Sequence, residues 1–466
     1  MTGWAAAEVG TAELGDARRT ARLIRLVETL GNHPEQSIPD ACDGDRAAIK
    51  ATYRFFESEA IDPDAIMAAQ RDATVGRCAA YPLILAVQDT TELNFTSHPG
   101  TQGLGHLRAA QQQGFLVHSV LALSPTGVPL GVLQQQRWAR DPTSRVAQTR
   151  RKRDTTEKES QRWLDAEAAT LAALPPATEV LTIGDREADI FDLFAAPRRG
   201  GAHLLIRAVH QRRIADTPAG ETAYIWPIVQ EQPPAGTLTV SIQPVTQRAG
   251  REATLTVRHC SVEVQPPRHH RARAQCQPQR LHAMLAIEAD PPAGQTPLTW
   301  RLLTTWPVET DDDVLALIEA YSLRWLIERF HFVLKSGCRV EQLQLDREVR
   351  LERALATYSI VASRLLRLTY LARRDPAAAG LSELTTTEWQ VLQATTPALQ
   401  KAVGTEPTIR QVVRAIATLG GFMGRTGDGD PGVKTLWRGL QQLHLMSLGW
   451  ELHQTLTSSG QLVGNG

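Results

Sequence analysis

Between about residues 80 and 210, apolar runs of strand length alternate with helical segments. This alternation narrows the fold more than any other feature of the chain. YPLILAVQDTTEL (81–93) is a short apolar run that ends in polar residues, and SVLALSPTG (119–127) and VPLGVLQQQRW (128–138) flank a Pro-Thr-Gly turn, as a hairpin requires. A polar stretch (139–160) leads into a helix expected over 157–174. TEVLTIGDREADIFDLF (178–194) then reads as a buried strand running into a helix, and HLLIRAV (203–209) as a further strand. A hairpin followed by strand–helix–strand units predicts an α/β core, a mixed sheet with helices on its faces.

The flanks differ in texture. Residues 1–70 read as helices only. In 16–31, Leu23, Leu26, Val27 and Leu30 recur at helical spacing, while Arg18, Arg19, Arg22 and Arg25 crowd the start and outer side. That arginine face suits either plain solvent or a polyanion. The segment 37–58 is a second helical stretch, with Tyr53, Phe55 and Phe56 near its end. From about 212 to 307 the chain is β-rich, an all-β insertion carrying the basic loop PPRHHRARAQCQPQR (266–280). Helical character returns at 311 and continues to the end, with a surface loop at 424–432. The expected division is 1–70, a catalytic region 71–375 containing the insertion, and a helical region 376–466.

Lys plus Arg equals Asp plus Glu at 50 each, so overall charge predicts no polyanionic partner, and only the local distribution of charge can supply one. Arg far outnumbers Lys, which fits bidentate phosphate contacts and equally a GC-rich genome. Five scattered cysteines with no CxxC pair argue against a disulfide framework or zinc site and fit a reducing cytoplasm. The N-terminus lacks the charged-then-apolar pattern of a signal peptide, and no run approaches the ~20 apolar residues of a membrane span.

Three carboxylates stand out. Asp89 and Asp185 each close an apolar run, where loops give access and the sheet gives rigidity. Taken singly, each also reads as an ordinary turn residue; taken together, two such groups can share a divalent cation, for which oxygen ligands favour magnesium or manganese. Tyr321, Arg324, Glu328 and Lys335 lie at offsets 0, 3, 7 and 14 on one expected helix. At ~100° per residue they fall within an arc of roughly 60°. A Glu beside two cations is held ionised and can bind metal, while Arg and Lys grip phosphate. A salt-bridged solvent face is the plainer alternative, but Trp325, Phe330, Phe332 and Leu334 are too many large apolar groups for a free helix.

With these residues in view, the sequence resembles the insertion-sequence-four family of DDE transposases. Its signature (Tyr, two residues, Arg, three residues, Glu, six residues, Lys) is met by Tyr321, Arg324, Glu328 and Lys335; DREADIFDLF supplies Asp185 with Arg186 and Glu187 beside it, and AVQDTTEL supplies Asp89. LGDARRTARLIRL and AAIKATYRFF resemble the family's DNA-end-binding region. EKESQRW, HLLIRAV and PPAGQTPLTWRLL resemble core segments, and LGGFMGRTG its dimerisation region.

The resemblance implies a ribonuclease-H-like core in which Asp89, Asp185 and Glu328 are the catalytic metal ligands for two Mg2+ ions, with Mn2+ as substitute. It implies DNA contacts by Arg207, Tyr321, Arg324, Lys335 and Arg186, an aromatic platform at Trp300 for a flipped-out base, and end recognition through Arg18, Arg19, Arg22 and Arg25. Phe332 departs from relatives that carry a basic residue at its position. The implied partners are double-stranded DNA with terminal inverted repeats, target DNA, and a second copy of the chain in a paired-end complex, without a membrane, in a bacterial cytoplasm and on the nucleoid when bound to DNA. Other classes weighed are a catalytically inactive DNA-binding relative or inhibitor, a metal nuclease without strand transfer, and a glycosidase, which the cations around Glu328 disfavour. Val412, Val413, Ile416, Leu419 and Phe422 form an apolar stripe expected either at a subunit contact or inside the chain's own fold.

Overall fold

The computed structural model describes residues 3–109, 111–140, 159–214, 223–242, 250–270, 273–400 and 406–458. The expected polar stretch falls largely outside these, as do two positions of the basic loop.

Five helices open the chain: α1 (Trp4–Val9), α2 (Ala17–Asn32), α3 (Ile38–Ala41), α4 (Arg46–Glu57) and α5 (Pro63–Cys78). Short polar side chains start four of them. Asp16, Ser37, Asp45 and Asp62 each accept a backbone N–H of the first turn. α2 buries Leu23, Leu26, Val27 and Leu30, as the spacing predicts, and exposes Arg18, Arg22 and Arg25. Arg19 departs from the expected outer face. It is half-buried, and its Nη1 donates to the Leu14 carbonyl at 2.8 Å.

The sheet follows. β1 (Leu83–Asn94), β2 (Gly105–His106), β3 (Gln113–Leu123) and β4 (Pro129–Trp138) precede α6 (Gln161–Ala173), β5 (Glu179–Gly184), a 3-10 turn (Arg186–Ala188), α7 (Phe191–Ala195) and β6 (Ala202–Arg207). β3 and β4 form the expected hairpin, closed at Gly127 with φ +83°, a left-handed conformation that favours glycine. Next come α8 (Ile225–Gln230), β7 (Gly236–Ile242), β8 (Arg251–Val264), β9 (Gln279–Glu288) and β10 (Thr299–Thr304). Among the described residues all ten strands form one sheet, ordered β2-β3-β1-β5-β6-β10-β9-β8-β7, with β4 on β3. β1, β5 and β6 are parallel and their other pairings antiparallel. This is a ribonuclease-H-like mixed sheet. The β-rich segment includes the short helix α8, and its strands extend the core sheet edgewise from β6.

The C-terminal half is helical: α9 (Asp311–Ser322), α10 (Trp325–Phe332), a π turn (Val333–Gly337), α11 (Glu348–Arg374), α12 (Thr386–Thr395), α13 (Pro397–Gln400), α14 (Ile409–Leu419) and α15 (Val433–Ser458). α11 spans 27 residues and is buried on nearly every side, with Arg353, Ser359 and Arg364 among the enclosed side chains. It packs against α2, α4 and α5 on one flank, α14 and α15 on another, and β4 and α10 near the sheet. Buried Arg353 donates to the Ile61 and Phe56 carbonyls, closing the end of α4.

The apolar stripe of α14 belongs to the chain's own interior. Val412, Val413 and Ile416 are buried, and Leu419 and Phe422 are half-covered. α14 and α15 approach closely because both carry glycine at the crossing: a Cβ on Gly439 would sit 1.8 Å from the Ile416 carbonyl oxygen, and one on Gly420 2.1 Å from that of Thr435. Farther along α15, Leu445, Met446, Leu448 and Leu452 are exposed. Among the described residues no helix is long and apolar enough to cross a membrane.

Two glycines of α15 test this crossing with opposite signs. Gly439→Ala is expected to destabilise by about 1–3 kcal/mol through overpacking. Gly449→Ala, which meets nothing within 4 Å, is expected to stabilise by up to about 1 kcal/mol through helix propensity. Urea unfolding of both variants reads the two signs.

Candidate active site

The parallel register aligns the acids. The β1–β5 pairing ends at Val87–Ile183, and the same offset carried two residues on sets Asp89 opposite Asp185. The β5–β6 pairing ends at Gly184–Ile206, and one step further sets Asp185 opposite Arg207. Asp89 is therefore not at a strand end. β1 continues to Asn94 because β3 pairs with it along that whole length, so Asp89 sits mid-strand where the parallel ladder stops. Asp185 follows β5 directly, and its Oδ1 accepts the Glu187 N–H at 2.8 Å.

Glu328 comes from above on α10. The expected continuous helix is broken here. Leu323, Arg324, Leu326 and Ile327 all donate to carbonyls three residues back, which separates α9 from α10, and a π turn ends α10 at Val333. Every residue through the junction stays right-handed helical, so side-chain spacing alone gave no sign of the break. Tyr321 thus lies one residue before the end of α9, Arg324 caps α10, and Lys335 lies in the π turn. Arg324 and Glu328 form an ion pair. Lys335 Nζ reaches across to Thr91 Oγ1 at 3.3 Å and lies 3.5 Å from Glu341.

Electrostatics mark Asp89 most strongly. Burial, with Asp185 and Glu328 nearby, pushes its carboxyl up to about 7 against the pull of Arg324. His331 Nδ1 stands 3.7 Å from Asp89 Oδ2, but burial, reinforced by Lys335, brings His331 down to about 3, so the ring is neutral. Burial works against the charge of Arg324, yet Tyr321, Glu328 and Asp89 outweigh it and hold the guanidinium above its usual value. Tyr321 is buried and raised, with Arg324 and Arg207 opposing, and its hydroxyl makes no hydrogen bond of good geometry. Trp300, half-buried on β10, meets the Tyr321 ring edge-on at 5.2 Å. Arg207 Nη2 donates to the Thr299 carbonyl at 3.2 Å. Arg186 is exposed beside Asp185.

The structure brings together Asp89, Asp185, Glu328, Arg207, Tyr321, Arg324 and Trp300. It leaves Arg18, Arg22 and Arg25 on the distant N-terminal helix. Among the described residues no three carboxylate, imidazole or thiol groups converge closely enough to enclose a metal ion, and Glu328 is engaged by Arg324. The donor chemistry nonetheless suits a hard divalent cation. All three groups are carboxylates, and a cation would offset both the burial and the carboxylate repulsion that raise Asp89.

Sequence reasoning missed the ties that hold the acids' backbones. Arg162, between the Trp138 and Trp163 rings at 5.6 Å each, donates to Thr90 Oγ1 at 2.9 Å and to Glu187 Oε2 at 2.6 Å. Thr90 follows Asp89 and Glu187 lies two past Asp185, so one guanidinium spans both acid-bearing segments. Thr90 in turn donates to His118 Nδ1, whose Nε2–H donates to Gln88, consistent with a ring that burial keeps neutral. The only sequence signal was an Arg preceding a Trp in EKESQRW. Asp189, at the end of DREAD, is buried. It accepts from the Val209 and His210 N–H groups at 2.8 Å each and from Arg212 Nε at 3.0 Å.

Fold and site thus define a ribonuclease-H-like protein whose acids sit at the end of a parallel ladder among guanidiniums, a setting for negatively charged substrate. Residues 1–61 match the transposase DNA-binding family, and residues 360–460 match the Tn5 transposase dimerisation domain. The first match takes in α1–α4, and the second begins within α11 and takes in α12–α15. Together they support a transposase with DNA as partner and a second copy of the chain as the other.

The two aspartates of the DREAD string separate by stability. Asp189→Ala strands a buried guanidinium and is expected to cost about 3–5 kcal/mol. Asp185→Ala removes one cap from a half-exposed turn and is expected to cost about 1 kcal/mol. Equal urea midpoints for the two variants would refute the structural role of Asp189.

Proposed function

We propose that the chain is a DDE transposase of the insertion-sequence-four type, which excises an element and inserts it elsewhere by successive displacements at phosphorus. This reading is carried by the β1–β5 and β5–β6 registers, which, continued just past their last pairs, bring Asp89, Asp185 and Arg207 level, with the Arg324–Glu328 pair on α10 near Asp89. Carboxylates alone suit several chemistries, but carboxylates interleaved with guanidiniums suit a phosphodiester.

Asp89, Asp185 and Glu328 would hold Mg2+ or Mn2+, two ions per site. The metal, when bound, lowers the pKa of the attacking oxygen and offsets charge on the leaving oxygen. Arg207 and Arg324 grip the phosphate beside the scissile bond, and the Tyr321 hydroxyl, lacking a good internal partner, is available to the same phosphate. Water attacks first and frees a 3′-hydroxyl at the element's end. That hydroxyl attacks the opposite strand to form a hairpin, a second water opens the hairpin, and the 3′-hydroxyl then attacks target DNA. One site serves each step because only the nucleophile changes, and the protein's part is chiefly positioning. Trp300 stacks on the base extruded during hairpin formation.

Recognition of terminal inverted repeats falls to Arg18, Arg22 and Arg25 on α2. Pairing of two ends falls to the C-terminal helices, where the exposed apolar row of α15 offers the contact. The protein works in a bacterial cytoplasm, on the nucleoid when bound to DNA.

Asp89→Ala, Asp185→Ala and Glu328→Ala are each expected to abolish nicking of end-bearing DNA in magnesium while leaving gel-shift affinity within a few-fold, since affinity rests on many phosphate contacts elsewhere. Persistent nicking by a variant would remove that residue from the site. Strand-transfer product from the wild type separates a transposase from a plain nuclease.

The α2 face has its own signature. Arg22→Ala with Arg25→Ala is expected to reduce the slope of log affinity against log salt by about 0.9 for each phosphate no longer neutralised. Arg19→Ala removes a side chain already bonded to the Leu14 carbonyl, and is expected to leave the slope unchanged. Binding titrations across a salt series measure both.

A further inference from the structure

The loop between β8 and β9 holds a second constellation, apart from the carboxylates. His270 Nε2 lies 2.7 Å from Asp192 Oδ1, and His270 Nδ1 lies 3.6 Å from Cys276 Sγ. An ionised carboxylate only accepts, so Nε2 carries the ring proton and Nδ1 is left to accept from the thiol. A thiol, an imidazole and a carboxylate thus stand in order, with the base oriented by a third group, the arrangement that activates a nucleophile.

The geometry is built from several elements. Successive turns, in which His270 donates to the Pro267 carbonyl, Arg273 to that of His270 and Cys276 to that of Arg273, bring the thiol back over the ring. Phe191 meets the imidazole edge-on at 5.9 Å, and Asp192 holds its far nitrogen, so two consecutive residues of α7 fix the ring plane.

The other thiols are placed differently. Cys42, Cys78 and Cys338 are buried and Cys260 is half-buried on β8. Burial raises all four, Cys78 to about 12. Cys276 is half-exposed, and among the described residues it alone of the five has an imidazole as hydrogen-bond partner.

We infer that Cys276 is a reactive thiol, activated by His270 and Asp192, that soft alkylating agents and hydroperoxides modify in preference to the other cysteines. Cys276 passes its proton to His270 Nδ1, and the thiolate attacks one oxygen of the hydroperoxide. The S–O bond forms as the O–O bond breaks. The departing oxygen takes the proton from the imidazolium and leaves as water or an alcohol. Sulfur is oxidised to a sulfenic acid, the peroxide is reduced, and the imidazole returns to its starting form.

The test uses the full-length protein under native conditions. A brief iodoacetamide pulse at several pH values, followed by peptide mass spectrometry, gives a rate for each cysteine. Cys276 is expected to react first, about 10-fold ahead of Cys260 at neutral pH. His270→Ala is expected to slow it on the order of 10-fold at neutral pH. Because that change could also loosen the loop, Asp192→Asn serves as the second variant; it keeps the shape, weakens the hold on the ring, and is expected to give an intermediate rate. With hydrogen peroxide and dimedone as trap, the sulfenic acid adduct is expected at Cys276 in the wild type and not in His270→Ala. Labelling of Cys276 no faster than Cys260, or one Cys276 labelling rate shared by all three proteins, overturns the inference.

Discussion

The parallel ladder of β1, β5 and β6 is the constraint on which the site depends. Its register, continued one or two residues past the last pairs, brings Asp89, Asp185 and Arg207 level. A slip of one residue would turn every one of them to the opposite face. The apolar stretches 84–87 and 180–183, buried on both sides, exclude that slip, so core packing of Ile84, Val87, Val180 and Ile183 sets the geometry of the chemistry. Like charges collected this way oppose one another, and Asp89 bears the effect. Arg324, entering from a different element, offsets part of it.

Around this row the structure invests in holding the backbone. The Arg162 guanidinium, clamped between two indoles, ties the segment after Asp89 to the turn after Asp185, and the Asp189–Arg212 pair anchors that turn from its far side. The Asp189–Arg212 pair is enclosed, so removing one partner leaves an uncompensated buried charge. The Arg18–Asp16 pair, by contrast, is exposed and contributes little. Position decides which ion pairs matter here.

Much of this was legible in the sequence, for definite reasons. Short apolar runs buried on both faces announced β1 and β5, and the amphipathic spacing of Leu23 to Leu30 announced α2. The spacing of Tyr321, Arg324 and Glu328 survived the break between α9 and α10 because hydrogen bonds shifted by one residue without any reversal of handedness. What was not legible depended on partners remote in sequence. The length of β1 past Asp89 was set by β3. The destination of the α14 stripe was set by α15, since an amphipathic helix states that it packs but not against what. Arg162 and Thr90 are 72 residues apart, and His270 and Asp192 are 78 apart.

α11 has a consequence for how such a protein can change. It serves as a common beam: the helices matched to a DNA-binding family lie against one side, those matched to a dimerisation family against another, and the catalytic sheet meets it at β4. It is buried nearly all the way round, so none of the three parts can be lifted away without uncovering the face packed against it. A change in what the helices matched to the DNA-binding family touch, if it is to keep this packing, is confined to their solvent side, because their other side grips the beam.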